Sequence, residues 1–371
     1  MLDNKTNTAT HQNRLAALRR LMHPQYDALL LINPQNVRYY SGFAGDESWL
    51  LVTRSRLLLL SDGRFIAQAA AEAPLAEFLC RTTEQDVFSL LLAACQKYGV
   101  KQLGFEGHRL SYQDWYTLTK RLKQNSRHMT IGDCGDTADQ PRLIKDAAEI
   151  ACLRECGRIE DRALEAILPL LRPGTTEKEI AWRLEAAMRE AGAEGVSFPT
   201  IVASGENSAK PHAIPSDRQL SPGDFVTIDF GCLYHGYCGD CTRTFAIGQP
   251  SAEQLAAYRL VLDAQQQATA TIRPGMTTGQ ADAIARDIIS AAGMGDYFSH
   301  SLGHGVGLEI HEAPAVRRGG SHIITTGNII TVEPGIYIPG RFGLRIEDSC
   351  LVTADGLEPL THFPKDLMIL G

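Results

Sequence analysis

Short apolar runs alternate with amphipathic stretches along the first third of the chain. "DALLLIN" (27–33) predicts a buried strand, with a helix beginning beyond Asn33-Pro34. "SWLLVTRSRLLLLSD" (48–62) predicts two strands joined by a polar turn around Arg54-Ser55-Arg56. "GRFIAQAAAEA" is helical in composition, "EFLCRTT" predicts a strand, and "DVFSLLLAACQKYG" an amphipathic helix. "KQLGFEG" and "SYQDWYTLTKRLKQ" repeat the strand–helix order. Such alternation predicts an α/β domain over 1–140. The polar, proline-containing stretch 135–146, "GDTADQPRLIKD", marks the boundary to a second domain, 141–371. That domain opens with a helical stretch, about 145–171, ending at Pro173-Gly174.

The second domain carries its pattern twice. "LRPGTT" begins at Leu171 and "IRPGMT" at Ile272, 101 residues further on. At that offset Thr176 matches Thr277 and Glu179 matches Gln280, each a capping-box pair at a helix start. Both helices run out at glycine, Gly192 and Gly293. Downstream, "PGDFVTIDFG" matches "TGNIITVEPG" at an offset of 104, so Asp229 falls on Glu333; at 107, Asp240 falls on Glu347. The period is too long for a solenoid and predicts a duplicated half-domain with a pocket between its halves.

The duplicated positions are acidic. "TIDFGCLYHGYCGDCTRT" reads as a β-hairpin turning near Tyr234-His235-Gly236, which sets Asp229 directly across from Asp240. "TVEPGIYIPGRFGLRIED" reads as a second hairpin centred on Gly340, with Glu333 across from Glu347. Like charges facing each other on a sheet are destabilising, and the apolar flanks predict burial. Four carboxylates carry four negative charges, which two divalent cations would balance.

Between the hairpins, "SHSLGHGVGLEIHEAP" holds His300, His304 and His311 among glycines that allow close backbone approach to a ligand. His304 is the candidate nitrogen ligand, and His300 and His311 are supporting or catalytic candidates. "KPHAIP" adds His212, and Arg345 shares a strand face with Glu347. HExxH, GxSxG and Walker A motifs are absent, and "GHGVG" lacks the dinucleotide spacing.

Composition changes the picture only by exclusion. With 44% hydrophobic and 21% charged residues, the chain reads as a globular protein with a sizeable core. A net charge of −7 argues against nucleic acid or anionic membrane as main partners. No apolar run reaches membrane-spanning length, and "MLDNKTNTATHQNRLAALRRLM" lacks a secretion-signal core. Nine scattered cysteines suit reduced thiols and a cytoplasmic location. In the hairpin, Cys232 and Cys241 fall on the face opposite the aspartates and only Cys238 shares theirs. A single tetrahedral thiolate zinc site is thereby excluded, and the cysteines read as fillers.

At these residues the chain resembles the aminopeptidase P and prolidase family, whose catalytic domain has the pita-bread fold. "DCTRT", "GHGVGLEIHE", "EPGIYIPG" and "RIED" are similar to its signatures, from about Ile144 to the end. "SDGRF" and the α/β pattern are similar to its smaller N-terminal domain. Cys241 and Leu344 depart from the usual residues without removing a functional group. The resemblance implies an α+β protein, a duplicated half-domain with antiparallel sheets and outer helices behind a creatinase/prolidase-type α/β domain. It implies two divalent metal ions on Asp229, Asp240, His304, Glu333 and Glu347. Manganese best suits four oxygen-donor residues and one imidazole, with cobalt or zinc as alternatives. It further implies hydrolysis of the bond between an N-terminal residue and proline in short peptides, by a homodimer. Glu333 would be the proton carrier, His212 and His311 would stabilise the oxyanion, Arg345 and His300 would support, and Thr242 would hydrogen-bond a ligand carboxylate.

Three other readings share the fold. A methionine-type aminopeptidase has the same ligand set but usually lacks a domain like 1–140. A creatinase-like enzyme works without metals, and a peptide-binding module has lost ligands; this chain keeps all five. Dipeptidase and aminopeptidase action remain equally open at this level.

Overall fold

The computed structural model describes residues 4–22, 25–125 and 128–371. The chain separates into two compact units, Met1–Pro141 and Arg142–Gly371. The first begins with α1 (Asn4–Met22), β1 (Ala28–Leu31), α2 (Pro34–Ser41), β2 (Trp49–Thr53) and β3 (Leu57–Ser61). It continues with α3 (Ile66–Glu72), β4 (Glu77–Cys80), α4 (Val87–Lys97), β5 (Gln102–Phe105), α5 (Tyr112–Asn125) and β6 (Thr130–Asp133). The strands form one sheet in the order β4-β3-β2-β1-β5-β6. Where the chain turns tightly at Arg54-Ser55, β2 and β3 are antiparallel; where α3 or α5 crosses over, β3–β4 and β5–β6 are parallel. Asn33 caps α2 by accepting from Gln35 N, with Pro34 in the first turn.

The second unit is built twice. Its first half holds α6 (Ala147–Ile167), α7 (Glu177–Glu190), β7 (Gly195–Val196), β8 (Ile201–Ser204) and β9 (Phe225–Phe230). It continues through β10 (Cys232–Tyr234), β11 (Tyr237–Cys238) and β12 (Cys241–Ile247). The second half holds α8 (Ala252–Thr271), α9 (Thr278–Ala291), β13 (Gly303–Gly305), β14 (Glu312–Val316), β15 (Ile329–Val332) and β16 (Gly335–Ile338). It ends with β17 (Phe342–Arg345), β18 (Glu347–Thr353), β19 (Gly356–Pro359) and β20 (Ile369–Leu370). The main sheet runs β14-β13-β15-β18-β12-β9-β8. Read from its centre, β12-β9-β8 mirrors β18-β15-β13, so the halves meet as a pseudo-twofold pair at the β12–β18 seam. The mainly antiparallel sheet, with its helix pairs, is the expected pita-bread architecture. Burial of β9, β15 and β18 side chains such as Val226, Ile330 and Val352 stabilises the layer by roughly 1.5–3 kcal/mol each.

Local detail follows the duplication. Thr176 and Thr277 cap α7 and α9 by accepting from Glu179 N and Gln280 N, each at 3.1 Å. Of these two helices, only α9 forms the reciprocal bond of the capping box, where Gln280 Oε1 accepts from Thr277 N at 2.9 Å. Each helix ends at a left-handed glycine, Gly192 at φ 115° and Gly293 at φ 73°.

The two hairpins compare differently with their expected registers. In the second, Gly335 pairs with Arg345 on one side and Val332 with Asp348 on the other, so Glu333 lies across from Glu347 as expected. In the first, the turn is a two-residue loop with both residues left-handed, His235 at φ 48° and Gly236 at φ 75°. Its centre lies one residue later than expected, which moves every pair by two: Asp229 faces Thr242, and Cys238 faces Leu233. Asp229 and Asp240 are therefore diagonal neighbours on one face, not direct partners. Between β9 and β10 the ribbon passes from the main sheet to the small β11-β10-β7 sheet, and a Cβ on Gly231 there would meet Gly239 O at 2.0 Å. No helix among the described residues is long and apolar enough to cross a membrane.

Candidate metal centre

The acid pairs sit where the halves meet. Asp240 directly precedes β12 and Glu347 opens β18; Asp229 lies near the end of β9 and Glu333 directly follows β15. Asp240, Glu347 and Asp229 are buried, and Glu333 nearly so. His304, from β13, completes the cluster. One ligand atom each from Asp240, His304 and Glu347 lies within 4.8 Å of the other two. His304 Nε2 is 3.4 Å from Asp240 Oδ2 and 3.4 Å from Glu333 Oε1. Asp229 joins through Arg345, whose Nη2 donates to Asp229 Oδ2.

Three observations fit this site to cations. First, His304 Nδ1 lies 3.0 Å from Gly305 O, which can only accept, so the proton is on Nδ1 and the Nε2 lone pair faces two carboxylates. Only a proton or a cation makes that arrangement favourable. Second, Asp229 Oδ1 is buried and accepts no hydrogen bond from the described residues. Third, the carboxyls crowd one another. Burial, then Glu347, Asp229 and Glu333, push the pKa of Asp240 well above the carboxylate range. Burial and the neighbouring acids do the same to Glu347. Burial raises Glu333 to about 7 against the opposing charge of Arg345. The carboxylate cluster is thus frustrated in a sense that bound cations would relieve.

Neighbouring side chains hold the carboxylates in place. Thr242 Oγ1 donates to Glu347 Oε2 at 2.6 Å, the kind of contact expected for it. Across the pseudo-twofold, Ser349 Oγ instead donates to the backbone carbonyl of Asp240 at 3.0 Å. Thr331 Oγ1 donates to Glu333 Oε1 and accepts from His304 N, each at 3.0 Å.

The other sequence-selected residues separate into two groups. His311 is exposed and its ring stands edge-on to that of His304, centroids 4.4 Å apart. Desolvation, then His304 and His212, push its pKa down. His212 is exposed on the loop after β8. His300 and Arg345 instead belong to a chain of hydrogen bonds. Arg345 donates to Asp229 and to Tyr337 Oη, and Tyr337 Oη lies 3.0 Å from His300 Nε2. His300 Nδ1 lies 2.8 Å from Ser301 O and so carries the proton, which leaves Nε2 to accept from Tyr337. Both ring nitrogens of His300 are engaged. Burial, then Arg345, hold its pKa down at about 3, so it is neutral. Tyr337 is the site residue that sequence reasoning missed. Its signal was the strand period, since it stands two residues from Gly335, the partner of Arg345, and so shares that face.

The cysteines take no part in the cluster. None of the nine is in a disulfide. Cys238 Sγ is 3.9 Å from Leu308 O, and burial pushes its thiol up to about 12. Cys241 Sγ points to Glu347 O at 3.8 Å. Cys238→Ser is expected to keep kcat/KM within about threefold of the parent, less than about 1 kcal/mol. Loss of activity in peptide-hydrolysis assays would reinstate a thiolate role.

An α/β unit followed by a duplicated unit with carboxylates and imidazole at its seam defines a metal-dependent hydrolase of the creatinase–prolidase type. The chain belongs to metallopeptidase family M24, whose profile matches residues 151–354, and the creatinase/prolidase N-terminal domain matches 14–144. It is 36% identical over 352 residues to an Xaa-Pro dipeptidase of Pyrococcus furiosus, covering 92% of this chain and 95% of that one. Among solved structures, an Xaa-Pro dipeptidase from Bacillus anthracis superposes with a TM-score of 0.93 at 38% identity, covering 97% of this chain and 100% of that one. An X-Pro aminopeptidase from Thermotoga maritima superposes at 0.85 with 36% identity, covering 93% and 98%.

Proposed function

We propose that the protein is a dinuclear-metal exopeptidase that hydrolyses the bond between an N-terminal residue and proline. The observation that carries this reading is the buried Asp240–His304–Glu347 cluster, with Asp229 and Glu333 beside it in the chain order of the family. Asp229, Asp240, His304, Glu333 and Glu347 would hold two divalent cations, manganese before cobalt or zinc by the hardness of the donors. Bound there, the ions would acidify a water and polarise the scissile carbonyl.

The remaining work falls to the chain's own groups. Glu333, held by Thr331, takes the proton of the attacking water and passes it to the departing proline nitrogen. His212 and His311, both exposed beside the cluster, donate hydrogen bonds to the carbonyl oxygen as it gains charge. Arg345 fixes Asp229 and, through Tyr337, the neutral His300. Relatives named as dipeptidases and as an aminopeptidase support proline at the second position, and both chain lengths are candidate substrates. Action as a homodimer in the cytoplasm, where cysteines outside disulfides stay reduced, completes the proposal.

The experiment is cleavage of Ala-Pro, Ala-Pro-Ala and Met-Ala by manganese-loaded protein. Release of alanine from either proline peptide, with Met-Ala slower, is expected, and the ratio of the first two separates dipeptidase from aminopeptidase. Release of methionine from Met-Ala with both proline peptides intact would favour the methionine-type reading instead.

A further inference from the structure

Glu177 is the first residue of α7, directly after the cap Thr176, and its side chain is fully buried. A helix N-terminus favours the negative charge it brings. Its Oε1 accepts from Ser204 N and Ser204 Oγ, both at 2.7 Å. Its Oε2 accepts from Ser216 N at 2.9 Å and Ser216 Oγ at 2.6 Å. Asn207 Nδ2 reaches both oxygens, at 3.2 and 3.1 Å. The helix start grips the same segment through its backbone: Lys178 N donates to Ser216 O at 3.2 Å and Glu177 N to Arg218 O at 3.1 Å. One carboxylate therefore ties the two ends of the loop 204–216 together, and His212 lies inside that loop. The far side of the loop rests on the second half of the unit, through Gly343 N to Ser208 Oγ at 2.8 Å and Arg345 to Pro211 O at 3.4 Å.

We infer that Glu177 is a positioning residue for His212. It does not reach the reacting atoms; it fixes the loop that aims the imidazole. The inference rests on the reading of His212 as an oxyanion donor. An amide at position 177 preserves shape but turns one oxygen into a donor. That donor faces the amide N–H of Ser204 or of Ser216, so one end of the loop loses its anchor. Small misplacements of a positioned group cost substantial rate.

The test is a double-mutant cycle on Ala-Pro hydrolysis at saturating manganese, using E177Q, H212A and the double variant, with manganese affinity and thermal melting followed in parallel. E177Q is expected to lower kcat/KM about 10-fold while manganese affinity stays within about twofold. In the H212A background the same substitution is expected to cost less than about twofold. An equal loss in both backgrounds overturns the inference, because Glu177 would then act independently of His212, as does full activity in E177Q. An H212A variant with unchanged kcat/KM sinks the oxyanion reading of His212 and the inference with it. Should E177Q melt out, S216A removes one donor of the clasp and is expected to show the same coupling at about threefold. S216A losing as much with His212 present as without it overturns the inference equally.

Discussion

Asp240→Asn is expected to abolish manganese binding and to lower kcat by at least about 10³-fold, roughly 4 kcal/mol, without lowering the melting temperature of the metal-free protein. Asp240 is 4% exposed and stands among Glu347, Asp229 and Glu333. In the metal-free protein these groups repel one another, so removing one charge while keeping the side-chain shape relieves the cluster. With cations bound as proposed, the same carboxylate would be a ligand, and its loss would remove both charge and coordination. A purely structural role would give the opposite pattern, a lowered melting temperature with proportionate loss of activity. Thermal melts in chelator, beside manganese titration and peptide hydrolysis, distinguish the two.

Asp348→Ala is expected to destabilise the protein by about 3–5 kcal/mol. Asp348 is fully buried directly behind Glu347 and accepts from four donors. These are Arg243 Nη2 at 2.8 Å, Thr361 Oγ1 at 2.8 Å, Gln265 Nε2 at 2.9 Å and Lys365 Nζ at 2.6 Å. Burial opposes its ionisation, but Arg243 and Lys365 outweigh it and hold the carboxyl below the usual range. Arg243 is 1% exposed, and Asp348 is the carboxylate it pairs with. The alanine variant leaves that guanidinium buried without its counter-charge, with neutral acceptors such as Phe363 O and Cys241 Sγ. At roughly 2–4 °C per kcal/mol, the melting temperature should fall by about 6–20 °C. Urea denaturation measures the loss directly, and a change below about 1 kcal/mol would remove Arg243–Asp348 as the brace behind the site.

What was legible in the sequence had a local cause. The duplication showed because caps, left-handed glycines and the "TID" and "TVE" cores are short-range signals, and the mirrored order of the sheet follows from them. The second hairpin's register was readable because Gly340 alone suits its turn, at φ 71°. The first was misread by one residue at its turn centre because the left-handed pair is His235-Gly236, and only the glycine of that pair is a strong signal for positive φ. Helix α1 was not read from the sequence because its apolar stripe is short: among the described residues Leu15, Leu18 and Met22 are buried at helical spacing, in a largely polar segment. The Arg243–Asp348 brace and the Glu177 clasp were illegible for a general reason. Charged residues are read as solvated by default, and their partners lie tens of residues away in sequence. His300 was marked as a candidate site residue from sequence, and only the fold shows both its nitrogens committed to Ser301 and Tyr337.

The central claim is that carboxylates and an imidazole at the seam of a duplicated unit hold the ions that make this chain an Xaa-Pro peptidase. It is tested most directly by stripping the protein with chelator and following Ala-Pro hydrolysis as manganese is titrated back. The account predicts no hydrolysis in the stripped protein and recovery that saturates at two ions per chain. Hydrolysis that persists at full rate in chelator, or that fails to return at any manganese concentration in a folded protein, would contradict it.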